Sequence, residues 1–129
     1  MLLPIDKHIR IGCAGELFAK AWFEERSYSI VAQNWRTARG EIDLIATKRD
    51  TLVFIEVKTL PHTALTDLDI IVGKKKQTRI YNTAQYFLSL YQKYNKMHVR
   101  FDVFVLPFDP RKTVQVPPLH IKNAFGGYI

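Results

Sequence analysis

Two short apolar runs carry charged residues where a buried strand ordinarily has none. Gly40-Glu41-Ile42-Asp43-Leu44-Ile45 holds two acids, and Phe54-Ile55-Glu56-Val57-Lys58 holds an acid and a base two positions apart. Alternate side chains of a strand share a face, so Phe54, Glu56 and Lys58 fall on one side and Val53, Ile55 and Val57 on the other, with Glu56 and Lys58 about 6.6 Å apart along the strand. If Arg49-Asp50 forms a two-residue hairpin turn, Lys48 opposes Thr51. The same register sets Asp43 across from Glu56 and Glu41 across from Lys58, at Cβ separations of about 4.5–5.5 Å. A register shifted by one residue would send Asp43 and Glu56 to opposite faces.

Facing carboxylates repel one another and destabilise a sheet unless a cation lies between them. Mg²⁺ or Mn²⁺ answers that requirement: each takes oxygen ligands, is commonly held by one or two protein carboxylates, and leaves positions for water and phosphate oxygens. Such an ion lowers the pKa of a bound water and neutralises charge developing on a phosphoryl group, while Lys58 beside it would orient the attacking water or stabilise the pentacovalent phosphorus. The chemistry expected is metal-assisted phosphodiester hydrolysis. The bare spacing from Asp43 to Glu56 and Lys58 is also compatible with a solvated sheet face of ordinary ion pairs.

The elements that must position these residues follow from periodicity. From Ile11 to Arg26 the residues Ile11, Ala14, Leu17, Phe18, Ala21 and Trp22 recur at spacings of three and four, which predicts an amphipathic helix. Three β-branched and aromatic runs follow, Tyr28 to Trp35, Glu41 to Thr47 and Thr51 to Lys58, and they predict consecutive short strands. Thr59 to Gly73 lacks a period and contains Pro61, so a loop is expected, with a short turn of structure around Leu65 to Val72. Ile80, Ala84, Phe87, Leu88 and Tyr91 predict a second helix from Lys74 to about Lys93, and Val99 to Leu106 a buried strand ended by Pro107. Thr113 to Val116 would add an edge strand, and the residues beyond it give no clear signal. The order helix, three strands, helix, strand indicates one α/β layer structure across residues 1–129, a single domain.

Taken together, these residues resemble the YraN-like family of predicted bacterial endonucleases, itself similar to Holliday-junction resolvases within the PD-(D/E)xK, restriction-endonuclease-like superfamily. The resemblance is carried by Gly15-Glu16 with Ala19, Asn34-Trp35-Arg36, Gly40 to Ile45, Phe54 to Thr59, the lysine-rich start of the second helix with Arg79 and Ala84, Arg100-Phe101-Asp102-Val103, and His120-Ile121 with Asn123-Ala124-Phe125. Ile42 stands where the superfamily pattern has proline, and Leu60 where relatives generally have arginine. The resemblance implies a restriction-endonuclease-like αβββαβ core with a central mixed sheet flanked by helices. It implies Asp43 and Glu56 as metal ligands, Lys58 as the catalytic lysine, Glu16 as an additional catalytic acid, and Gln77 as the glutamine some relatives carry after the lysine strand. Hydrolysis of DNA, branched or junction DNA included, and a homodimer are what resolvase-like relatives imply.

Nineteen Lys and Arg against twelve Asp and Glu leave a net charge of +7, a potential suited to a polyanion. Lys74, Lys75, Lys76 and Arg79 gather at the start of the second helix, where exposed N–H groups also favour phosphate, and Arg36 and Arg39 flank the turn before Asp43. These residues, with Gln77, are the expected nucleic-acid contacts. A binding module that keeps the fold but does not cleave is the alternative.

Other chemistries are not supported. His8, His62, His98 and His120 are dispersed without zinc-ligand spacing, and no nucleophile triad or phosphate-cradling glycine loop can be assembled. The single cysteine, Cys13, is expected to be a small core residue, and Trp22, Trp35 and the tyrosines of the second helix are expected to pack in the core. No run reaches the ~20 apolar residues of a membrane-spanning helix, and neither a signal peptide nor an anchor is expected, which suggests a cytoplasmic setting.

Overall fold

The computed structural model describes residues 4–60, 71–112 and 116–126, with side chains of the first helix described from Gly12 onward. Helix α1 spans Pro4–Glu25; strands β1 (Ser29–Thr37), β2 (Gly40–Lys48) and β3 (Thr51–Thr59) follow; then come α2 (Lys74–Leu90), a short 3-10 turn, β4 (His98–Leu106) and β5 (Leu119–Phe125). The five strands form one mixed sheet in the order β1-β2-β3-β4-β5. Among the described residues only the β3–β4 pair is parallel; the connection between them carries α2, as a parallel pair requires.

The two helices cover opposite faces. Ala19 and Phe23 of α1 pack on Leu44, Ala46, Val53, Ile55, Phe104 and Leu106 of the sheet. Ile80, Ala84 and Phe87 of α2 pack on Ile42, Ile45, Leu52, Phe54, Phe101, Val103 and Val105 of the opposite face. The central strands bury both faces, and for that reason they read as nearly continuous apolar runs.

α1 is rotated relative to its sequence pattern. Its buried stripe is Gly15, Ala19 and Phe23, with Phe18 and Trp22 at the margins, whereas Leu17 is 63% exposed and Cys13, expected in the core, is exposed. Gly15 explains the rotation. A Cβ at this position would collide with the Thr59 hydroxyl at the end of β3, so glycine lets α1 lie close to the strand that carries Lys58. Of the aromatics expected in the core, Trp22, Trp35 and Tyr81 are partly buried against it, but Tyr91 is 43% exposed because α2 ends at Leu90.

Strand β5 answers no expectation from periodicity. Its alternation is interrupted by a bulge: Phe101 pairs with Phe125 but Val103 with Ile121, and Asn123 takes a φ of 51°. The turn expected at Leu65 to Val72 lies outside the described residues except for Ile71 and Val72, which are buried under α2, and the edge strand expected at Thr113 to Val116 lies outside them except for exposed Val116.

Candidate functional site

The β2–β3 hairpin has the expected register as far as Leu44–Ile55, and the expected pairs Asp43–Glu56 and Glu41–Lys58 lie beyond the end of the ladder. Lys48 pairs with Thr51, and the ladder runs without interruption to Leu44–Ile55. Arg49 adopts a φ of 55° at the turn, the left-handed conformation that a tight two-residue connection demands. The ladder ends just before the acids. Beyond Leu44–Ile55 the Asp43 side chain takes over: its Oδ2 accepts a hydrogen bond from the Val57 backbone N at 2.8 Å. Leu44 packs under α1 and Ile42 under α2 with Trp35, so Asp43 stands where β2 changes face and its carboxylate is directed sideways at β3.

Asp43 and Glu56, each 6% exposed, are within hydrogen-bonding reach of each other at the parted end of the hairpin. They line a cavity of about 260 Å³ with Gly12 and Glu16 of α1, Lys58 and Thr59 of β3, and Lys76 of α2. All four residues expected to be catalytic therefore converge, with α1 supplying one acid and α2 a second lysine.

Electrostatics distinguish their states. Burial first, then the hydrogen bond and charge of Asp43, push the Glu56 carboxyl up to about 8. Its buried Oε2 lacks an aligned hydrogen bond, although Lys76 Nζ lies 3.2 Å away as an ion-pair partner. Burial also raises Glu16, and the charges of Asp43 and Glu41 add to the effect, while its hydrogen bond with Asn34 opposes it. Lys58 is lowered, mainly by burial and further by the neighbouring Lys76 charge. Burial pulls Lys76 down as well, but its attraction to Glu56 outweighs that and leaves it raised. The two lysines are thus moved in opposite directions, Lys58 down and Lys76 up, because Lys76 is the one paired directly with Glu56.

Lys76, expected as a phosphate contact, is half-buried and paired with Glu56. It belongs to the acid site, and the sequence could not single it out from Lys74 and Lys75, because only the docking of α2 decides which of three successive lysines faces β3. The placement also accounts for Lys76 at a helix N-terminus, where the dipole disfavours it: the acid that offsets it, Glu56, comes from the sheet. Lys74, Lys75 and Arg79 are exposed on α2. Gln77 is buried and donates from Nε2 to the Val72 carbonyl at 2.8 Å, tying the segment before α2 to its first turn. Arg36 pairs with Glu41 at 2.7 Å, and Arg39 lies over the Tyr86 ring at 4.6 Å.

A second polar cluster lies under α1. Asp102, fully buried, accepts from Arg100 Nε at 2.8 Å and Nη2 at 3.0 Å and from the Asn123 backbone N at 3.0 Å, and His120 Nε2 is 2.6 Å from its Oδ2. An ionised carboxylate only accepts, so His120 carries its proton on Nε2 here. Arg100 also donates to the Tyr28 hydroxyl, at 2.8 Å. His120 is consequently a structural residue, packed between Trp22 and Phe23; its partner lies eighteen residues away on another strand, which no spacing rule could find.

The model of an uncharacterised protein family, UPF0102, matches residues 15–106, the span that contains all four clustered residues and both helices' contributions. The chain belongs to this family. A UPF0102 protein of Treponema pallidum (strain Nichols) is 50% identical over 122 residues, covering 94% of this chain and 97% of its own length. One of Treponema denticola is 48% identical, over 90% of this chain and 95% of the relative, and one of Syntrophus aciditrophicus 36% identical, over 85% and 86%. The YraN-like resemblance of the sequence agrees with this membership. Among the described residues, no helix is long and apolar enough to cross a membrane.

Proposed function

We propose that this protein is a cytoplasmic Mg²⁺- or Mn²⁺-dependent endonuclease that hydrolyses DNA phosphodiester bonds, with branched or junction DNA and a homodimer among the possibilities the resolvase-like resemblance opens. The observation that carries the reading is the buried Asp43–Glu56 pair with Lys58 two residues along β3, at the end of the hairpin where the ladder opens. The mixed sheet flanked by helices agrees with a restriction-endonuclease-like core.

The donor set fits a hard cation. Three carboxylates, Glu16, Asp43 and Glu56, and no His or Cys line the cavity; Asp43 and Glu56 are the two within reach of each other, and Glu56 Oε2 is an acceptor without an aligned donor. Among the described residues no group of three or more His, Cys, Asp or Glu converges as a metal cage, so Asp43 and Glu56 would hold the ion while water and phosphate oxygens fill its other positions. When bound, such an ion neutralises charge developing on the phosphoryl group and acidifies water. The chain's own groups do the rest. Lys58, partly desolvated, orients the attacking water and donates to a phosphate oxygen; Glu16 supplies an additional acid from α1; Lys76, paired with Glu56, adds a positive charge beside the position of the phosphate.

A binding-only reading has one observation in its favour: the Lys76 ammonium already compensates Glu56. Incubation with linear, flapped and four-way DNA and each metal distinguishes the two. Cleavage abolished by Lys58→Ala supports the nuclease; salt-sensitive binding without any Lys58-dependent cleavage supports the module.

A further inference from the structure

The β1–β2 hairpin and the outer side of α2 enclose a second cavity of about 480 Å³, lined by Trp35, Arg36, Thr37, Arg39, Tyr86 and Leu90 among others. It shares no lining residue with the acid site, and the two are linked through the Arg36–Glu41 pair. Glu41, bonded to Arg36, is also one of the charges that raise Glu16. Gly40 rests so closely on α2 that a Cβ there would lie 2.9 Å from the Thr83 hydroxyl, which pins the hairpin tip to the helix.

The lining combines π-faces with cations. Trp35 and Tyr86 are 6.1 Å apart at an angle of 44°, the Arg39 guanidinium lies over Tyr86, and Leu90 is 51% exposed. Lys75, Arg79, Tyr86 and Leu90 follow one another at spacings of four, seven and four, so they form a single stripe along α2, about 22 Å from end to end. A flat ring attached to a phosphate chain fits this combination: the ring stacks on the tyrosine or the guanidinium, and the arginines and lysine follow the backbone. A continuous duplex offers no such ring, because its bases are already stacked on one another.

We propose that this cavity is a stacking subsite for an unpaired base, and that the substrate is nucleic acid with a single-stranded segment beside the phosphate to be cut; this rests on the nuclease reading of the acid site. The test is fluorescence anisotropy in EDTA with single-stranded, gapped and fully duplex oligonucleotides of one sequence, repeated with 2-aminopurine as a reporter of stacking. Single-stranded and gapped DNA should bind at least about tenfold more tightly than duplex, with 2-aminopurine fluorescence quenched in the complex. Tyr86→Ala, and Arg39→Ala at an exposed position, should each weaken single-strand binding about tenfold and duplex binding less than twofold, and Tyr86→Phe should restore it. Equal affinity for all three DNAs, equal losses on all three, or failure of Tyr86→Phe to restore binding overturns the subsite. Lys58-dependent cleavage that ignores Arg39→Ala sinks the subsite and leaves the nuclease standing; Tyr86-dependent single-strand binding without cleavage does the reverse.

Discussion

Asp102 and the Asp43–Glu56 pair are buried acids of the same sheet, on neighbouring strands β4, β2 and β3, and their surroundings differ in completeness. Asp102 is met by Arg100, His120 and the Asn123 amide; although burial opposes its charge, these hydrogen bonds together hold its carboxyl below the usual range. Glu56 is pushed up to about 8, has Asp43 beside it, and keeps an oxygen without an aligned donor. Both acids carry burial's cost, but only one has protein groups arranged to offset it in full. A carboxylate with complete protein partners has no capacity left for a ligand, whereas an incomplete site has its strongest interactions still to make.

Removing Asp102 tests that contrast most severely. Asp102→Ala strands Arg100 and His120 and should cost about 3–5 kcal/mol, measured by urea denaturation, with any DNA cleavage per folded molecule unchanged. Lys58→Ala should reverse the pattern: cleavage falls about 10²–10³-fold in single-turnover assays while the denaturation midpoint holds or rises. A Lys58→Ala protein that unfolds as readily as Asp102→Ala would mean that the acid cluster is as structural as its neighbour.

Glu56→Gln removes a charge that is poorly accommodated without metal, so it should raise the melting temperature in EDTA at pH 9, by the equivalent of about 1 kcal/mol, and abolish any gain on adding Mn²⁺. Stability against pH separates the two acids by sign. Without metal, native Glu56 keeps a proton that the unfolded chain has released between its ordinary pKa of 4.5 and about 8, so stability declines as pH rises through that window. Asp102 acts oppositely: its contribution is complete above its ordinary pKa of 3.8 and is lost as pH falls through its lower native value. Melting curves of wild type, Glu56→Gln and Asp102→Ala across pH 2–9, a range of about seven units, would show the first slope vanish in one variant and the second in the other. The smallest effect expected is at the exposed cations: Arg79→Ala or Lys75→Ala should lower the slope of log affinity against log salt by about one each and leave cleavage of bound DNA intact.

The amino-acid sequence by itself determined what depends on neighbours along the chain. A two-residue turn at Arg49-Asp50 fixes the partner of every residue up to Leu44–Ile55, and strand alternation puts Glu56 and Lys58 on one face, so the location of the acid site was legible before any tertiary contact. The spans of α2, β2, β3 and β4 were legible for the same reason: their periods are locally encoded. The buried stripe of α1 was not, because Gly15 gains its meaning only from Thr59. Nor was β5, where a bulge that wraps the Asn123 amide onto Asp102 erases the alternation. Tertiary structure alone selected Lys76 from three lysines, turned Asp43 toward Val57, and joined Asp102 to His120. Each of these is a contact between elements distant in sequence, set by how helices dock and strands part, and the electrostatics that separate a structural acid from a functional one depend on such contacts.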